Sequence, residues 1–441
     1  MQMEFDVVIL GTGSAALAVA WRCHEAGWRV AVVDSRPFGG TCALRGCDPK
    51  KVLVGAAETV AAARQLAGKG VAGAPRIDWP ELMRFKRTFT EPVPKEREES
   101  LAKAGIAAFH GRARFIGRAA VRVGEQELRG RFVVIATGAR PAPLGFPGED
   151  LLATSEDFLE LDELPRRIAF VGGGYISFEF GHLAARVGAQ ATILHRGARP
   201  LEQFEPDLVA RLVEHSRSVG IDVRTGAAVR AVERGYRVRS AAGDVEVDLV
   251  VHGAGRIPDL DDLDLEKAGV QRNPHGVAVD EFMRSISNPA VYACGDAAAG
   301  GPKLTPVASA EGRVVAANMI EGNHHRPNYA GTPSVVYTIP PLARAGLGEA
   351  EARERGLKFR VNAADSSSWY SSRRIGETVS GYKVLIEEPS QRILGAHLLG
   401  AEAAEVVNLF AVAIRRGITA PDLKETIFAY PTHSSDLSYM L

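Results

Sequence analysis

A pattern of apolar strand, glycine turn, helix and strand occurs twice in this chain, about 160 residues apart. The first copy runs from strand 7–10 through turn 11–16 to strand 30–33, and the second from strand 167–171 through turn 172–177 to strand 191–194. In each copy the glycine turn ends a strand and opens a helix, where backbone N–H groups can bind a pyrophosphate. Two such copies predict an α/β protein with two Rossmann-like nucleotide-binding domains.

The turns and the strand ends that follow them supply candidate cofactor-binding residues. In the first copy these are Gly11, Gly13, Ser14 and Ala15, together with Asp34, which ends the second strand where an acid binds ribose hydroxyls. In the second copy they are Gly172, Gly174 and Ile176. Strands 132–136 and 249–251 also run into glycine turns, which adds Thr137, Gly138 and Gly255 as candidates.

In the second copy, basic residues instead of an acid follow the second strand. His195 and Arg196 stand where an acid would favour NADH, and Arg199 follows. Two guanidinium groups suit the 2′-phosphate of NADPH. We therefore expect NADPH rather than NADH, with a solvated basic loop as the alternative interpretation.

Composition excludes several other classes of protein. The 53 basic and 53 acidic residues cancel, so no overall field attracts nucleic acid or an anionic membrane. The sequence has no apolar run of 18 residues and no secretory signal, so we expect no membrane span. Four cysteines are too few for a disulfide scaffold and fit a cytoplasmic protein.

Cys42 and Cys47 form a C-x4-C pair shortly after the first nucleotide turn. On a straight helix they would lie about 7.5 Å apart along the axis, beyond the range of a disulfide, so the chain must bend, and Gly46 permits this. A redox-active pair is one interpretation and a zinc site the other, although zinc needs about four ligands and no second cysteine pair exists. We predict no metal site, and we expect Cys23 and Cys294 to be buried structural thiols.

With these motifs in place, the chain resembles the class I pyridine nucleotide-disulfide oxidoreductases, which include glutathione reductase, dihydrolipoamide dehydrogenase and mercuric reductase. The resemblance rests on the GGTC-x4-C-x-P-K run at 39–50, on residues 136–138, on the GGGYISFE run at 172–179 and on segments 295–296, 304–308 and 332–337. It implies an FAD-binding domain in two parts (1–148 and 271–328), an NAD(P)H-binding domain (149–270) and a C-terminal α+β dimerisation domain (329–441).

The resemblance also implies roles for individual residues. Cys47 would lie against the flavin as the charge-transfer thiol, and Cys42 would exchange with substrate. Lys50 and Glu179 would form the ion pair beside flavin N5, Asp296 would contact the FAD ribityl chain, and Tyr175 would cover the nicotinamide pocket. The same motifs place Gly40, Thr41, Gly295 and Ala308 among the cofactor-binding residues.

The chain departs from the family near its C-terminus. Tyr430 stands where the family has its acid/base histidine, before a proline whose peptide bond is expected to be cis, and Ser435 stands at the position of the supporting glutamate. Tyrosine also occurs here in mercuric reductases. We hypothesise that His433 and Asp436, three residues apart, replace the missing pair, with an ordinary polar helix start as the alternative.

Further departures concern the substrate. Trp21 and Arg97 stand near positions where the family contacts glutathione, whereas Arg313 matches such a position, so we expect weak glutathione disulfide reduction. Asp48 replaces an apolar residue after Cys47, and it either raises the pKa of a thiol or pairs with a lysine.

Together these features predict an FAD-dependent, NADPH-oxidising disulfide reductase that is a homodimer, with a small disulfide or another electron acceptor as substrate. The alternatives are a flavoprotein that reduces metal ions or quinones, a dihydrolipoamide dehydrogenase-type activity, and a redox sensor of low turnover.

Overall fold

Strands and helices alternate in both repeats of the chain, as the sequence predicts. The computed structural model describes residues 2–73 and 75–441. Numbered in chain order, the α-helices are α1 Ser14–Glu25, α2 Gly40–Arg45, α3 Cys47–Gln65, α4 Trp79–Thr90, α5 Val93–Lys103, α6 Ser155–Phe158, α7 Tyr175–Val187, α8 Pro206–Ser218, α9 Thr305–Glu321, α10 Glu349–Glu354, α11 Tyr370–Arg374, α12 Ala403–Arg416, α13 Ala420–Glu425 and α14 Leu437–Met440.

The strands follow the same order. They are β1 Gln2–Leu10, β2 Val30–Asp34, β3 Ala107–His110, β4 Ala113–Gly117, β5 Ala120–Val123, β6 Gln126–Ile135, β7 Ala139–Pro141, β8 Arg167–Val171, β9 Gln190–Leu194, β10 Ile221–Arg224, β11 Val229–Glu233, β12 Arg237–Ser240, β13 Val245–Glu246, β14 Leu249–His252, β15 Arg256–Pro258, β16 Arg272–Asn273, β17 Gly276–Val277, β18 Val291–Ala293, β19 Pro333–Val336, β20 Leu342–Gly346, β21 Phe359–Asp365, β22 Gly381–Glu387 and β23 Ile393–Leu399.

The first of two compact units comprises residues 1–50, 85–142 and 256–329. Its main sheet has the order β3-β2-β1-β6-β5-β4, and β18 pairs with β6. β1 lies between β2 and β6 and is parallel to both, and its last four residues are at most 1 % exposed. Continuous apolar runs of this kind are typical of parallel strands covered on both faces. The predicted first nucleotide-binding unit is therefore confirmed, with parallel strands β3-β2-β1-β6-β18, antiparallel β5 and β4 beside them, and α1 packed on α9.

The second unit comprises residues 51–84, 143–255 and 330–441. It contains the parallel sheet β10-β9-β8-β14 and the antiparallel sheet β19-β20-β23-β22-β21. Helix α7 begins at Tyr175, three residues earlier than the sequence predicts, and Gly188 ends it with a positive φ of 107°. The second nucleotide-binding unit and a C-terminal α+β unit are therefore both present.

The order Lys383-Val384-Leu385-Ile386 predicts a strand that alternates between buried and exposed residues. That prediction is wrong, because the first six residues of β22 are all buried. Lys383 is the polar exception in this run, and its ammonium contacts the carboxylates of Glu205, Asp207 and Glu349 at 2.9–3.0 Å. Three ion pairs replace the solvation that an exposed lysine would have.

Residues 2–73 and 75–441 contain no helix with both the length and the hydropathy that a membrane crossing requires.

Candidate active site

The cysteine pair lies at a break between two helices in the first unit. Helix α2 ends at Arg45, Gly46 interrupts the helical conformation, and Cys47 opens α3. A Cβ at Gly46 would lie 2.9 Å from the carbonyl oxygen of Thr41, so the break has no room for a side chain. Both thiols are free, and they are hydrogen-bonded to each other. The predicted bend between the cysteines is confirmed.

The two thiols have opposite acidities. The pKa of Cys47 is lowered from 9.0 to about 6, first by the hydrogen bond from Cys42 and then by the Thr305 hydroxyl and the charge of Lys50, with burial acting against them. The Thr305 hydroxyl oxygen lies 3.3 Å from the Cys47 sulfur. The pKa of Cys42 is raised, first by its hydrogen bond to Cys47 and then by burial. The reduced pair therefore holds one thiolate, on Cys47, and one thiol, on Cys42.

Asp48 faces the thiol. The Cys42 sulfur lies 3.8 Å from Asp48 Oδ1, at hydrogen-bond distance for a thiol donor. The carboxylate contributes to the raised pKa of Cys42, as one of the two sequence interpretations stated. The other interpretation was that Asp48 pairs with a lysine and faces solvent; Asp48 is exposed, but it forms no ion pair with any lysine that the structure describes.

The remaining cysteines are structural. Cys23 and Cys294 are both fully buried in the core of the first unit, as predicted. Burial raises the pKa of Cys23 to about 12, and it also raises the pKa of Cys294. Neither thiol ionises near neutral pH, so neither offers a nucleophile.

The first glycine turn forms a narrow cradle. Gly11 has a φ of +118°, and a Cβ there would lie 2.3 Å from the carbonyl oxygen of Ala136. A Cβ on Gly40 would lie 2.4 Å from the Cα of Gly13, so these two backbones are in direct contact. Helix α1 has no side-chain cap at Gly13, which leaves the N–H groups of its first turn, at Ser14 and after, available to an anion. The cradle fits the pyrophosphate of a dinucleotide.

Other predicted residues of the first unit surround this cradle. A Cβ at Gly295 would lie 3.3 Å from the Cβ atoms of both Ala15 and Ala308, so these three residues meet. Asp34 Oδ2 accepts hydrogen bonds from the N–H and the hydroxyl of Thr12 at 3.0 and 2.7 Å. Burial raises the pKa of Asp296, the next residue after Gly295.

The loop after β6 completes this set. The Thr137 hydroxyl donates to the carbonyl oxygen of Asp259 at 2.7 Å, and Gly138 adopts a positive φ of 74°. Thr41 lies in the first turn of α2, beside Cys42. The structure thus brings the predicted residues of the first unit together at the carboxyl ends of β1, β2, β6 and β18, where ligands bind in open α/β sheets.

The second glycine turn repeats this geometry. Gly172 has a φ of +107°, and a Cβ there would lie 2.4 Å from the carbonyl oxygen of Gly253. Helix α7, whose first residues are Tyr175 and Ile176, has no side-chain cap at Gly174. The Tyr175 hydroxyl lies 2.6 Å from the Ser334 hydroxyl, and burial raises its pKa. Gly255 follows the turn beside β14 with a φ of +111°.

The basic residues after β9 have different surroundings. His195 is half-buried, and its Nε2 lies 2.9 Å from the carbonyl oxygen of Arg199. The Arg199 guanidinium donates to the carbonyl oxygen of Glu202 at 3.0 Å. Arg196 is exposed, and no hydrogen bond or ion pair of its guanidinium occurs in the described part of the chain. Its cation is therefore available to a ligand.

Lys50 and Glu179 belong to different units, and their pairing stays a prediction. Lys50 follows Cys47 by three residues on α3 and lowers the pKa of that thiol. Glu179 is 4 % exposed, and its Oε1 accepts a hydrogen bond from the N–H of Tyr337 at 2.9 Å.

The C-terminal segment exposes a tyrosine and holds a half-buried histidine. Tyr430 is 81 % exposed, and its bond to Pro431 is cis, as predicted. His433 begins a 3-10 helix that ends at Asp436. Burial lowers the pKa of His433, and its Nε2 has no hydrogen-bond partner within the described residues. His433 and Asp436 line a cavity of about 40 Å³ together with Glu377, and their proposed acid/base role stays a prediction.

Sequence reasoning missed three supporting residues. Thr12 fixes Asp34, Thr305 contacts Cys47, and Glu311 accepts a hydrogen bond from the N–H of Gly295 at 2.8 Å. Thr305 lies in one of the motifs that carry the resemblance, but its contact partner is 258 residues away in sequence. Glu311 occupies a helix interior, where no local pattern marks a buried carboxylate.

One group of three possible metal ligands occurs among the described residues, and it does not include the cysteine pair. It consists of Glu321, His324 and His325, of which the first two are exposed.

Comparison with known proteins agrees with this geometry. The family model described as pyridine nucleotide-disulphide oxidoreductase matches residues 5–312, and the model of its dimerisation domain matches residues 332–440. The chain is 33 % identical to a glutathione reductase of Burkholderia cepacia, over 97 % of this chain and 96 % of the relative. It is 31 % identical to a dihydrolipoyl dehydrogenase of Chlamydia muridarum (98 % and 95 % covered) and 30 % identical to a mercuric reductase of Staphylococcus aureus (98 % and 81 %).

Among solved structures, the Cu(II) complex of the HOCl-induced flavoprotein disulfide reductase RclA from Escherichia coli superposes with a TM-score of 0.90. It is 27 % identical in sequence, and the match covers 99 % of both chains. The chain thus belongs to the pyridine nucleotide-disulphide oxidoreductases and is an FAD-dependent NAD(P)H disulfide oxidoreductase with a dimerisation domain.

Proposed function

We propose that Cys42 and Cys47 are the redox pair through which this enzyme passes electrons from NADPH to a small disulfide. The observation that carries the proposal is the split acidity of the pair, with a thiolate on Cys47 and a thiol on Cys42. A disulfide reductase needs one sulfur that stays with the cofactor and another that exchanges with substrate. The hydrogen bond from Cys42 and the Lys50 charge lower the pKa of Cys47, whereas the hydrogen bond to Cys47 and burial raise the pKa of Cys42, which gives the two sulfurs these separate roles.

FAD fits the first unit, because the turn excludes side chains at Gly11 and Gly40 and the N-terminus of α1 at Gly13 is uncapped. When bound, FAD supplies hydride acceptance from the nicotinamide and two-electron delivery to the disulfide. The chain's own residues bind and orient it. Gly295 and Asp296 would face the ribityl chain, Asp34 the ribose, and Lys50 with Glu179 the flavin ring.

The second unit would hold NADPH on the turn 172–177, with Tyr175 over the nicotinamide. The exposed guanidinium of Arg196 supports NADPH over NADH, because a free cation at this strand end suits a 2′-phosphate. Arg199 would add a second charge after it exchanges its contact with the Glu202 carbonyl.

A homodimer is part of the proposal. In the C-terminal segment Ile427 is 97 % exposed and Tyr430 is 81 % exposed, which is unusual for large apolar side chains in a monomer. A second copy that covers them would bring Tyr430 to the dithiol of its partner. The corresponding domain division is 1–148 and 271–328 for FAD, 149–270 for NADPH and 329–441 for dimerisation.

Anaerobic titration with NADPH tests the redox pair. Wild-type enzyme should take up two electrons beyond the flavin and develop a long-wavelength charge-transfer absorbance from the Cys47 thiolate. Cys47→Ser should lose that absorbance, whereas Cys42→Ser should retain it without further reduction. Equal spectra for both variants would contradict the assigned roles.

A panel of acceptors then decides the substrate class. We expect small disulfides to be reduced, and glutathione disulfide only weakly. Reduction of Hg(II), Cu(II) or quinones with no disulfide turnover would favour the alternative acceptor.

A further inference from the structure

The thiol that exchanges with substrate needs a group that moves its proton. Cys42 carries a proton in the reduced pair, because Cys47 holds the charge. A thiol must lose its proton to attack a disulfide, and the departing thiolate must gain one. His433 lines an internal cavity of the C-terminal segment with Glu377 and Asp436.

One carboxylate already contacts the exchanging sulfur. Asp48 Oδ1 lies 3.8 Å from Cys42 Sγ, so the single S–H proton of Cys42 has two acceptors within reach, the Asp48 carboxylate and the Cys47 sulfur. Asp48 is exposed and has no competing ion pair in the described part of the chain. Its position is also the one where the sequence departs from an apolar residue.

We infer that the Asp48 carboxylate is the acid–base catalyst for Cys42. This role rests on the proposed function of the cysteine pair. As Cys42 Sγ attacks the substrate, its proton passes to Asp48 Oδ1, the Cys42–sulfur bond forms and the substrate S–S bond breaks. Asp48 then returns the proton to the departing thiolate, which leaves as a thiol.

The second half of the exchange needs no further base. The Cys47 thiolate attacks Cys42 Sγ, the Cys42–Cys47 disulfide forms, and the second substrate thiolate leaves and takes a proton from water. The cysteine pair loses two electrons, and the substrate disulfide gains them. NADPH restores the dithiol through FAD in the next cycle.

A structural role for Asp48 is the competing explanation. The residue lies in the first turn of α3, where an acid interacts favourably with the helix dipole. A purely electrostatic role of Asp48 at the thiol is a second alternative, and it predicts the opposite change in the exchange rate. If the carboxylate only raises the pKa of Cys42, its removal produces more thiolate and faster exchange.

The experiment uses anaerobic, FAD-loaded enzyme reduced by one equivalent of NADPH and mixed with an aromatic disulfide, from pH 5 to pH 9. The charged and titratable groups around the two sulfurs are Asp48 and Lys50 on α3 and the cysteines themselves. Asp48→Asn should slow the exchange on the order of 10²-fold and remove the solvent deuterium isotope effect. Flavin reduction by NADPH should be unchanged.

Three further variants make the test sharp. Asp48→Glu should recover part of the rate, since it keeps a carboxylate. Glu99→Gln is the matched control, because it removes an exposed acid elsewhere in the first unit and should change nothing. Tyr430→Phe tests whether the tyrosine, rather than Asp48, moves the proton. In our proposal this variant keeps the solvent deuterium isotope effect of the wild type.

Exchange by Asp48→Asn at the wild-type rate or faster would overturn the inference. Failure of the proposed function has a different appearance: the wild-type enzyme itself would be reduced by NADPH but transfer nothing to any disulfide. In that case alkylation of Cys42 by iodoacetamide still tests Asp48, with slower reaction in Asp48→Asn supporting the role and faster reaction contradicting it.

Discussion

Replacing Thr305 by valine tests how the fold creates the Cys47 thiolate. The substitution removes one hydroxyl, 3.3 Å from the sulfur, and keeps the shape of the side chain. The pKa of Cys47 should rise, because the Thr305 hydroxyl is one of the groups that lower it.

The size of the effect follows from the contact. A hydrogen bond contributes about 0.5–1.5 kcal/mol net. Because Cys47 is exposed, solvent should limit the Thr305–Cys47 hydrogen bond to the lower half of that range. About 0.5–1 kcal/mol corresponds to roughly 0.4–0.7 pKa unit. The pKa should therefore move from about 6 to roughly 6.5.

The assay is a pH titration of the charge-transfer absorbance in NADPH-reduced enzyme. The band should be lost as the pH falls through the Cys47 pKa, and its midpoint should lie higher in Thr305→Val than in the wild type. Thr305→Ser should restore the wild-type midpoint. Thr59→Val on α3 removes a hydroxyl that bonds only locally, to the Gly55 carbonyl, and should have no effect. An unmoved or lowered midpoint in Thr305→Val would refute this account of the thiolate.

Two other predictions concern the second unit. Arg196→Ala should lower kcat/KM for NADPH roughly 10- to 100-fold and leave kcat/KM for NADH nearly unchanged. Arg230→Ala, which removes another exposed arginine of the second unit, is the control. Equal losses of kcat/KM for both coenzymes would argue against a phosphate contact. Burial raises the pKa of Glu377 from 4.5 to about 7, so the folded state keeps a proton that the unfolded chain releases, and stability falls between about pH 4.5 and pH 7. Glu402, His433 and Asp436 line the same cavity. Between pH 5 and pH 7.5, Glu377→Gln should remove about 2 kcal/mol of that pH-dependent loss, as measured by denaturant unfolding, and identical pH dependence in the variant would contradict a buried neutral Glu377.

The fold was predictable because its signals are local. Strand, turn and helix are adjacent in sequence at 7–25 and again at 167–187, and the first glycine of each turn adopts a positive φ, which is a local backbone requirement. The cysteine pair was predictable for the same reason, since Gly46 lies between the two thiols.

The contacts that set the pKa of Cys47 and hold Asp34 in place were not predictable from local sequence patterns. Thr305 reaches Cys47 across 258 residues of sequence, and Thr12 reaches Asp34 across 22. Whether the Asp48 side chain faces Cys42 depends on the angle between α2 and α3, which cannot be read from the sequence. Only the arrangement of Glu205, Asp207 and Glu349 around Lys383 explains a lysine in a buried strand, and no local pattern in the sequence shows it.

The contact between Gly13 and Gly40 has a consequence for how this enzyme can change over evolution. Cys42 is two residues beyond Gly40, so its sulfur, which we propose exchanges with substrate, is held in register with the first glycine turn by main chain resting on main chain. A substitution at Gly40 cannot adjust that spacing, because a Cβ there would lie 2.4 Å from the Cα of Gly13. New acceptors must therefore be accommodated by remodelling the surface around the dithiol, while the electron path itself stays fixed.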